Sequence, residues 1–182
     1  MAKPNHKPKK KRILSAAQVK AIFERFAREM AKNYGSLDQV VFIGIRTRGP
    51  YVAKRLAEII KKRHKKDIPI GEMDITLYRD DLNALLPGGT IDHTRIPFDI
   101  ANKIVVLFDD VLHTGRTVRA AVDHLIDLGR PRMIHLAVMI DRGGRELPIA
   151  ANYVGKKFHL RSAGNVEVRL KEVDKADEVL VG

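Results

Sequence analysis

Apolar residues recur along this chain in two alternating rhythms. Between Ser15 and Asn33, the residues Val19, Ile22, Phe23, Phe26 and Met30 stand three and four positions apart, the spacing that lines one face of a helix. Ser15 is placed to cap its start and Gly35 to stop it. Gln39 to Gly44 is a continuous apolar run, as in a strand buried on both faces. A second helix opens at Pro50 and runs to Arg63, with Val52, Leu56, Ile59 and Ile60 inward. Ile68 to Tyr78 divides into two short strand-like pieces around Gly71. Leu82 to Phe98 has no clear period and carries Pro87-Gly88-Gly89 and Pro97. It reads as a long loop or a hairpin, and loops of that length often serve function. Ile104 to Phe108 is the next strand. Thr117 to Leu128 is a helix closed by Gly129-Arg130-Pro131. Met133 to Ile140 is another strand, Asp141 to Glu146 a polar connection, and Asn152 to Val154 and Val166 to Leu170 are later strands. No internal repeat is visible.

Apolar strands alternating with amphipathic helices predict an α/β fold with a central, mostly parallel sheet flanked by helices. Ligands of such sheets collect beyond the carboxyl ends of the strands. Three loops stand at that position and mix charge with glycine. They are Gly44-Ile45-Arg46-Thr47-Arg48-Gly49, Asp109 to Thr117, and Asp141-Arg142-Gly143-Gly144-Arg145.

The chain has 182 residues, the size of one ordinary domain with its own core. We assign that domain to residues 13–182 and expect a disordered basic tail at 1–12. There is no cysteine, which excludes disulfides and thiolate metal sites and is compatible with a reducing compartment. No apolar run reaches the ~20 residues of a membrane helix. The basic start leads into an amphipathic segment rather than a signal-peptide core. The expectation is a cytoplasmic protein without membrane contact.

Charge changes the picture more. Lys+Arg 34 against Asp+Glu 22 gives +12, a balance that favours an anionic partner. The excess is local, at Lys3, Lys7, Lys9, Lys10, Lys11 and Arg12 and again at Lys61-Lys62-Arg63-His64-Lys65-Lys66. Each cluster reads either as a solvated face or as an RNA-directed surface. Tryptophan is absent and aromatics make up only 5% of the chain, so a stacking platform for single strands is not indicated.

The sharpest chemistry lies in Asp109 to Thr117. Thr114-Gly115-Arg116-Thr117 opens a helix, so its amides, its two hydroxyls and the positive helix end make a phosphate cradle. No Walker lysine loop or Gly-x-Gly-x-x-Gly run occurs, which argues against an ordinary ATP or dinucleotide site. Asp109 and Asp110 would repel a phosphate unless they held something else. Sugar hydroxyls or a hydrated Mg²⁺ fit that need, whereas the bland reading makes one a helix cap and leaves the other in water. Gly44 to Gly49 sets Arg46 and Arg48 between glycines, a clamp for a second anion. Arg79 either adds charge to the site or pairs with Asp80 or Asp81. Together these features describe a site for a sugar bearing a phosphate and a diphosphate.

Val105 to Thr117 resembles the phosphoribosyl-diphosphate signature of type I phosphoribosyltransferases: apolar residues, paired acids, a short spacer, then Thr-Gly-x-Thr. The resemblance is closer to the family of bifunctional pyrimidine operon attenuation regulators and uracil phosphoribosyltransferases. It is carried by Gly44 to Gly49, Asp74-Ile75-Thr76-Leu77-Tyr78-Arg79-Asp80-Asp81-Leu82, Asp109 to Arg119, Asp127 to Pro131, Leu136 to Gly143, Arg145 to Ile149 and Tyr153-Val154-Gly155-Lys156. It spans roughly residues 13 to 178.

The resemblance implies a type I phosphoribosyltransferase fold with a flexible loop and a hood. It implies that Asp109 and Asp110 grip the ribose hydroxyls of phosphoribosyl diphosphate. Thr114, Gly115, Arg116 and Thr117 would hold the 5′-phosphate. Ile45, Arg46, Thr47 and Arg48 would wrap the diphosphate in a loop with a strained or cis peptide. Tyr78 and Arg79 would begin a lid, with Arg79 and Arg48 joining the acids in catalysis. Asp141, Arg142, Tyr153, Val154 and Gly155 would surround the base. Arg25, Arg28, Arg145 and Lys156 would face leader mRNA. Mg²⁺ is the implied cofactor, with no protein ligand assigned to it. Uracil and UMP are the implied partners, in a homo-oligomer.

The chain departs from the family pattern at several points. Gly144 stands for His, Ala150 for Arg, His113 for Tyr, and Lys157 to Arg161 for a segment close to Asn-Ile-Pro-Thr-Ser. Glu24 stands where the pattern has a neutral hydroxyl. These changes leave open a phosphoribosyltransferase for uracil or a purine without RNA regulation, or a non-catalytic nucleotide-sensing RNA-binding protein. For His113, packing or a base contact is set against acid–base work.

Overall fold

The computed structural model describes residues 10–76, 93–159 and 164–182. In chain order the elements are β1 (Lys11–Leu14), α1 (Ala16–Tyr34), β2 (Val40–Ile45), α2 (Gly49–His64), β3 (Ile70–Met73), β4 (Ile104–Leu112), α3 (Arg116–Leu128), β5 (Met133–Asp141), β6 (Tyr153–Lys157), β7 (Val166–Arg169), α4 (Lys171–Asp174) and β8 (Glu178–Val181). Strands β3-β2-β4-β5-β6 form one sheet in that order. All neighbours in it are parallel, as the sequence pattern predicts. The inner strand β2 is buried at every position.

Helices α1 and α2 cover one face of this sheet. On α1 the stripe Val19, Ile22, Phe23, Phe26, Ala27 and Met30 is buried. Ser15 caps it, accepting from the Gln18 amide while the Gln18 side chain accepts from the Ser15 amide. Phe42 and Phe108 meet edge-on beneath them at a 4.8 Å centroid distance. Helix α3 covers the other face, packing Val118, Ala121 and Leu125 against Val105, Leu107, Leu136 and Val138.

Three differences from the sequence reading have physical causes. First, β4 continues through Asp109 to Leu112, because Asp109, Val111 and Leu112 still pair with Val138, Ile140 and Asp141 of β5. Second, the two pieces foreseen around Gly71 are one strand with Gly71 inside it. A side chain there would meet Ile96 at 2.9 Å, and the bare position lets the chain cross so that Arg95 bridges Glu72. Third, β1, β8 and β7 make a separate antiparallel sheet in that order. Its first strand begins at Lys11 and pairs with Val181, inside the segment expected as tail. The remaining tail residues 1–9 lie outside the described residues, as do Tyr78, Arg79 and most of the long loop. No helix among the described residues is long and apolar enough to cross a membrane.

Candidate active site

The parallel sheet directs the ends of β2, β4 and β5 to one edge, and the three glycine-bearing loops meet there. Glycine closes the first loop. A Cβ on Gly49 would lie 2.3 Å from the Phe108 carbonyl oxygen, and one on Gly44 would lie 2.2 Å from the Pro50 nitrogen. Only bare backbone fits between β2, the start of α2 and β4. Within the loop the Arg46–Thr47 peptide is cis, the feature that the resemblance implies for it. The Arg46 amide donates to Met73 O at 2.9 Å, so the loop is fixed at its β3 side. Arg46 and Thr47 are exposed and Arg48 half-buried.

Asp109 is buried at 8% exposure. Its Oδ1 accepts from the Asp110 amide at 2.8 Å, and Asp110 Oδ1 accepts from the Val111 amide at 2.9 Å. Burial, followed by the neighbouring Asp110 charge, pushes the Asp109 carboxyl well above the usual range. Burial also raises Asp110, against the opposing pull of Asp109 hydrogen bonding and of Arg48. Two such acids held side by side favour a shared proton, hydroxyl donors or a cation. That demand matches a vicinal diol better than a free phosphate.

The cradle follows directly. Gly115 has φ 95° and stands at the N-cap of α3. Its Cβ would press on Ile149 at 3.3 Å, so glycine meets both the backbone and the packing demand. Thr114 is anchored through its carbonyl, which accepts from the Glu146 and Leu147 amides at 2.9 and 3.2 Å. Arg116 is paired outward with Glu146 at 2.7 Å. Thr114, Gly115, Arg116 and Thr117 therefore stand where α3 begins, beyond the acids on the same strand.

On the side expected to face the base, Arg145 turns inward. It donates to Ile149 O at 2.9 Å and His113 O at 2.7 Å, and pairs with Asp141 at 2.7 Å. Burial alone would raise the Asp141 carboxyl, but the Arg145 bond and the Gly143 amide hold it below its usual range. Arg142 donates to Gly164 O at 2.9 Å. Gly143 and Gly144 both have φ 71°. A Cβ on Gly143 would meet the His159 ring at 2.8 Å, and one on Gly144 the His113 ring at 2.9 Å. Partial burial and the Arg142 charge hold His113 below its ordinary titration range.

The remaining predicted residues among those described lie on β6 and α1, and Arg25, Asp141, Tyr153 and Val154 line one cavity. The Tyr153 ring lies in the core under α1, packed edge-on against Phe26 and Tyr34, with its hydroxyl accepting from Asn33 at 3.2 Å. Val154 and Gly155 give their carbonyls to Arg25, each at 2.8 Å. Lys156 donates to Ile13 O at 3.4 Å. Arg28 is exposed. Asp174 was missed by the sequence reading. It lies on α4 and binds Arg48 through both carboxylate oxygens, at 2.9 and 3.2 Å. Their separation in sequence leaves no local pattern that could signal the pair.

Among the described residues no group of three or more His, Asp or Glu forms a cage for a metal ion. The Asp109–Asp110 pair supplies hard oxygen donors of the type Mg²⁺ accepts. The ion fits here only if a bound diphosphate and water complete its shell.

The phosphoribosyl transferase domain family matches residues 10–168 of the chain. Among curated relatives, Bifunctional protein PyrR of Chloroflexus aurantiacus is 50% identical over 94% of this chain and 94% of its own length. Its counterpart in Thermus thermophilus is 46% identical over 93% and 94%. Among solved structures, the hypoxanthine phosphoribosyltransferase of Trypanosoma cruzi superposes with a TM-score of 0.73 at 14% identity, covering 94% of this chain and 95% of that one. That of Staphylococcus aureus gives 0.69 at 20% identity, covering 93% and 90%. At these identities the solved structures establish the type I phosphoribosyltransferase fold and nothing finer. The chain belongs to the phosphoribosyl transferase domain family and, within it, to the PyrR family.

Proposed function

We propose that the protein transfers the phosphoribosyl group of phosphoribosyl diphosphate to uracil, giving UMP and diphosphate, and that it binds leader RNA to regulate pyrimidine genes. The observation that carries the enzymatic half is the adjacent pair of buried Asp109 and half-buried Asp110, set on a central strand immediately before a helix-opening turn that suits a phosphate. The 5′-phosphate lies on the Thr114 to Thr117 amides at the positive end of α3. The two ribose hydroxyls donate to the acids, which answers their tendency to hold a proton. Ile45 to Arg48 faces the diphosphate. The bond from C1 to the diphosphate oxygen breaks as uracil N1 bonds to C1, and the N1 proton is lost. Positive charge grows on the ribose in this step, and the two carboxylates lie where they oppose it. Mg²⁺, bound with the diphosphate, would neutralise the leaving group.

A panel of bases incubated with phosphoribosyl diphosphate and Mg²⁺ tests this half. UMP formation with little product from hypoxanthine or guanine is the expected result. Purine turnover without uracil turnover would refute the uracil assignment, a result that the Lys157 to Arg161 departures make worth seeking.

For the RNA half, the family membership and the +12 charge support an anionic partner. Arg28 is exposed on α1, and no ion pair engages it among the described residues. Binding of a pyrimidine-leader hairpin should weaken steeply between 50 and 200 mM salt, by roughly 10-fold or more if several phosphates are contacted. No binding of such hairpins at low salt would remove this half. Assembly as a homodimer or larger oligomer is part of the same proposal.

A further inference from the structure

We propose that Asp174 is a positioning residue for the donor site, holding one edge of the Arg48 guanidinium so that its other edge faces the diphosphate. The proposal rests on the reading of Ile45 to Arg48 as the diphosphate loop. Arg48 stands at the N-cap of α2, in a helical conformation with no side-chain cap bond. Its Nε and one Nη2 hydrogen go to Asp174, at 3.2 and 2.9 Å. A guanidinium has five N–H donors in a fixed fork. Among the described residues no partner takes the Nη1 hydrogens or the second Nη2 hydrogen, which lie on the edge away from Asp174. The Arg48 side chain is only 26% exposed, and it is near enough to Asp110 for its charge to pull that carboxyl down.

Asp174 is itself fixed. Its Oδ2 also accepts from the Leu170 amide at 3.0 Å, and its side chain is only 17% exposed. The carboxylate is therefore set before any ligand arrives. It spares a long side chain the entropy of being ordered by the ligand. The small sheet and α4 do not depend on this contact to stay docked. Arg55 of α2 separately holds Glu172 at 3.0 Å and Asp177 at 2.9 Å.

Asp174→Asn is the informative variant. The amide oxygen still accepts from the Leu170 amide, but the charge and the two-point grip are lost. Diphosphate binding with Mg²⁺, measured by calorimetry, should weaken about tenfold. The KM for phosphoribosyl diphosphate should rise by a similar factor, with kcat and the KM for uracil within about twofold. Asp174→Glu should recover part of the loss. In an Arg48→Ala background, Asp174→Asn should add little. Equal diphosphate affinity in Asp174→Asn and the native protein would overturn the inference while leaving the donor loop intact. Additive losses in the double variant would also overturn it, since Asp174 would not be acting through Arg48. Native protein that binds no diphosphate at all would sink both the inference and the loop assignment on which it rests.

Discussion

Asp109→Asn/Asp110→Asn protein folds, melts no lower than the native chain at neutral pH, and transfers phosphoribosyl groups at least about 10²–10³-fold more slowly. The loss follows from the site. Both carboxylates are anchored by backbone amides on β4, so they meet the sugar without reorganising, and two amides in their place oppose the growing positive charge much less. The stability statement follows from linkage. Burial raises the Asp109 pKa in the folded state. The protonated form is then favoured by folding, and the stability it brings is lost as pH rises through the raised value. At neutral pH, where the unfolded carboxyls are ionised, burying this pair costs stability that Asn does not lose. A melting curve and a turnover assay on one preparation check both parts. Native turnover in the double variant would mean that these acids do not serve the reaction.

Gly49→Ala has the second-largest expected effect, about 10²-fold on turnover. The new methyl carbon would stand 2.3 Å from the Phe108 carbonyl oxygen, with Gly44 backbone atoms at 3.1 and 3.2 Å. Ordinary contact requires the loop to retreat from β4 by about 1 Å. A displacement of that size between reacting groups costs on the order of 10² in rate. The atoms in the way are backbone, so no rotamer change relieves the clash. The deficit should fall on the KM for phosphoribosyl diphosphate as well as on kcat. Unchanged kinetics in a folded variant would show that the loop does not touch the donor.

The sheet, its parallel order and the three loops at one edge were legible because each depends on local periodicity. Apolar runs of strand length, stripes at helical spacing and glycines at the turns all state their purpose within ten or so residues. Where contact is long-range, that legibility ends. Lys11 reads as part of a basic tail until Val181 is seen to pair with it. Arg145 looks like a surface cation, yet its guanidinium serves carbonyls of the 112–113 turn and Ile149. Tyr153 sits on the strand that the motif identifies, but its ring faces α1, because alternate residues of β6 point to opposite faces. Its motif neighbours Val154 and Gly155 both give their carbonyls to Nη2 of Arg25, a long-range contact that no local pattern signals. Asp174 carries no signal of its own until the fold brings it to Arg48.

At the rim beside β5 a bare glycine faces an exposed imidazole. The His113 imidazole occupies the spot where residue 144 would otherwise place its first side-chain carbon. A larger residue at 144 must turn that exposed ring aside and also accept a left-handed backbone. Turning an exposed ring whose far end alone is met costs little, so the main toll of a side chain at 144 is backbone strain, and it falls on residue 144 itself rather than on its neighbour.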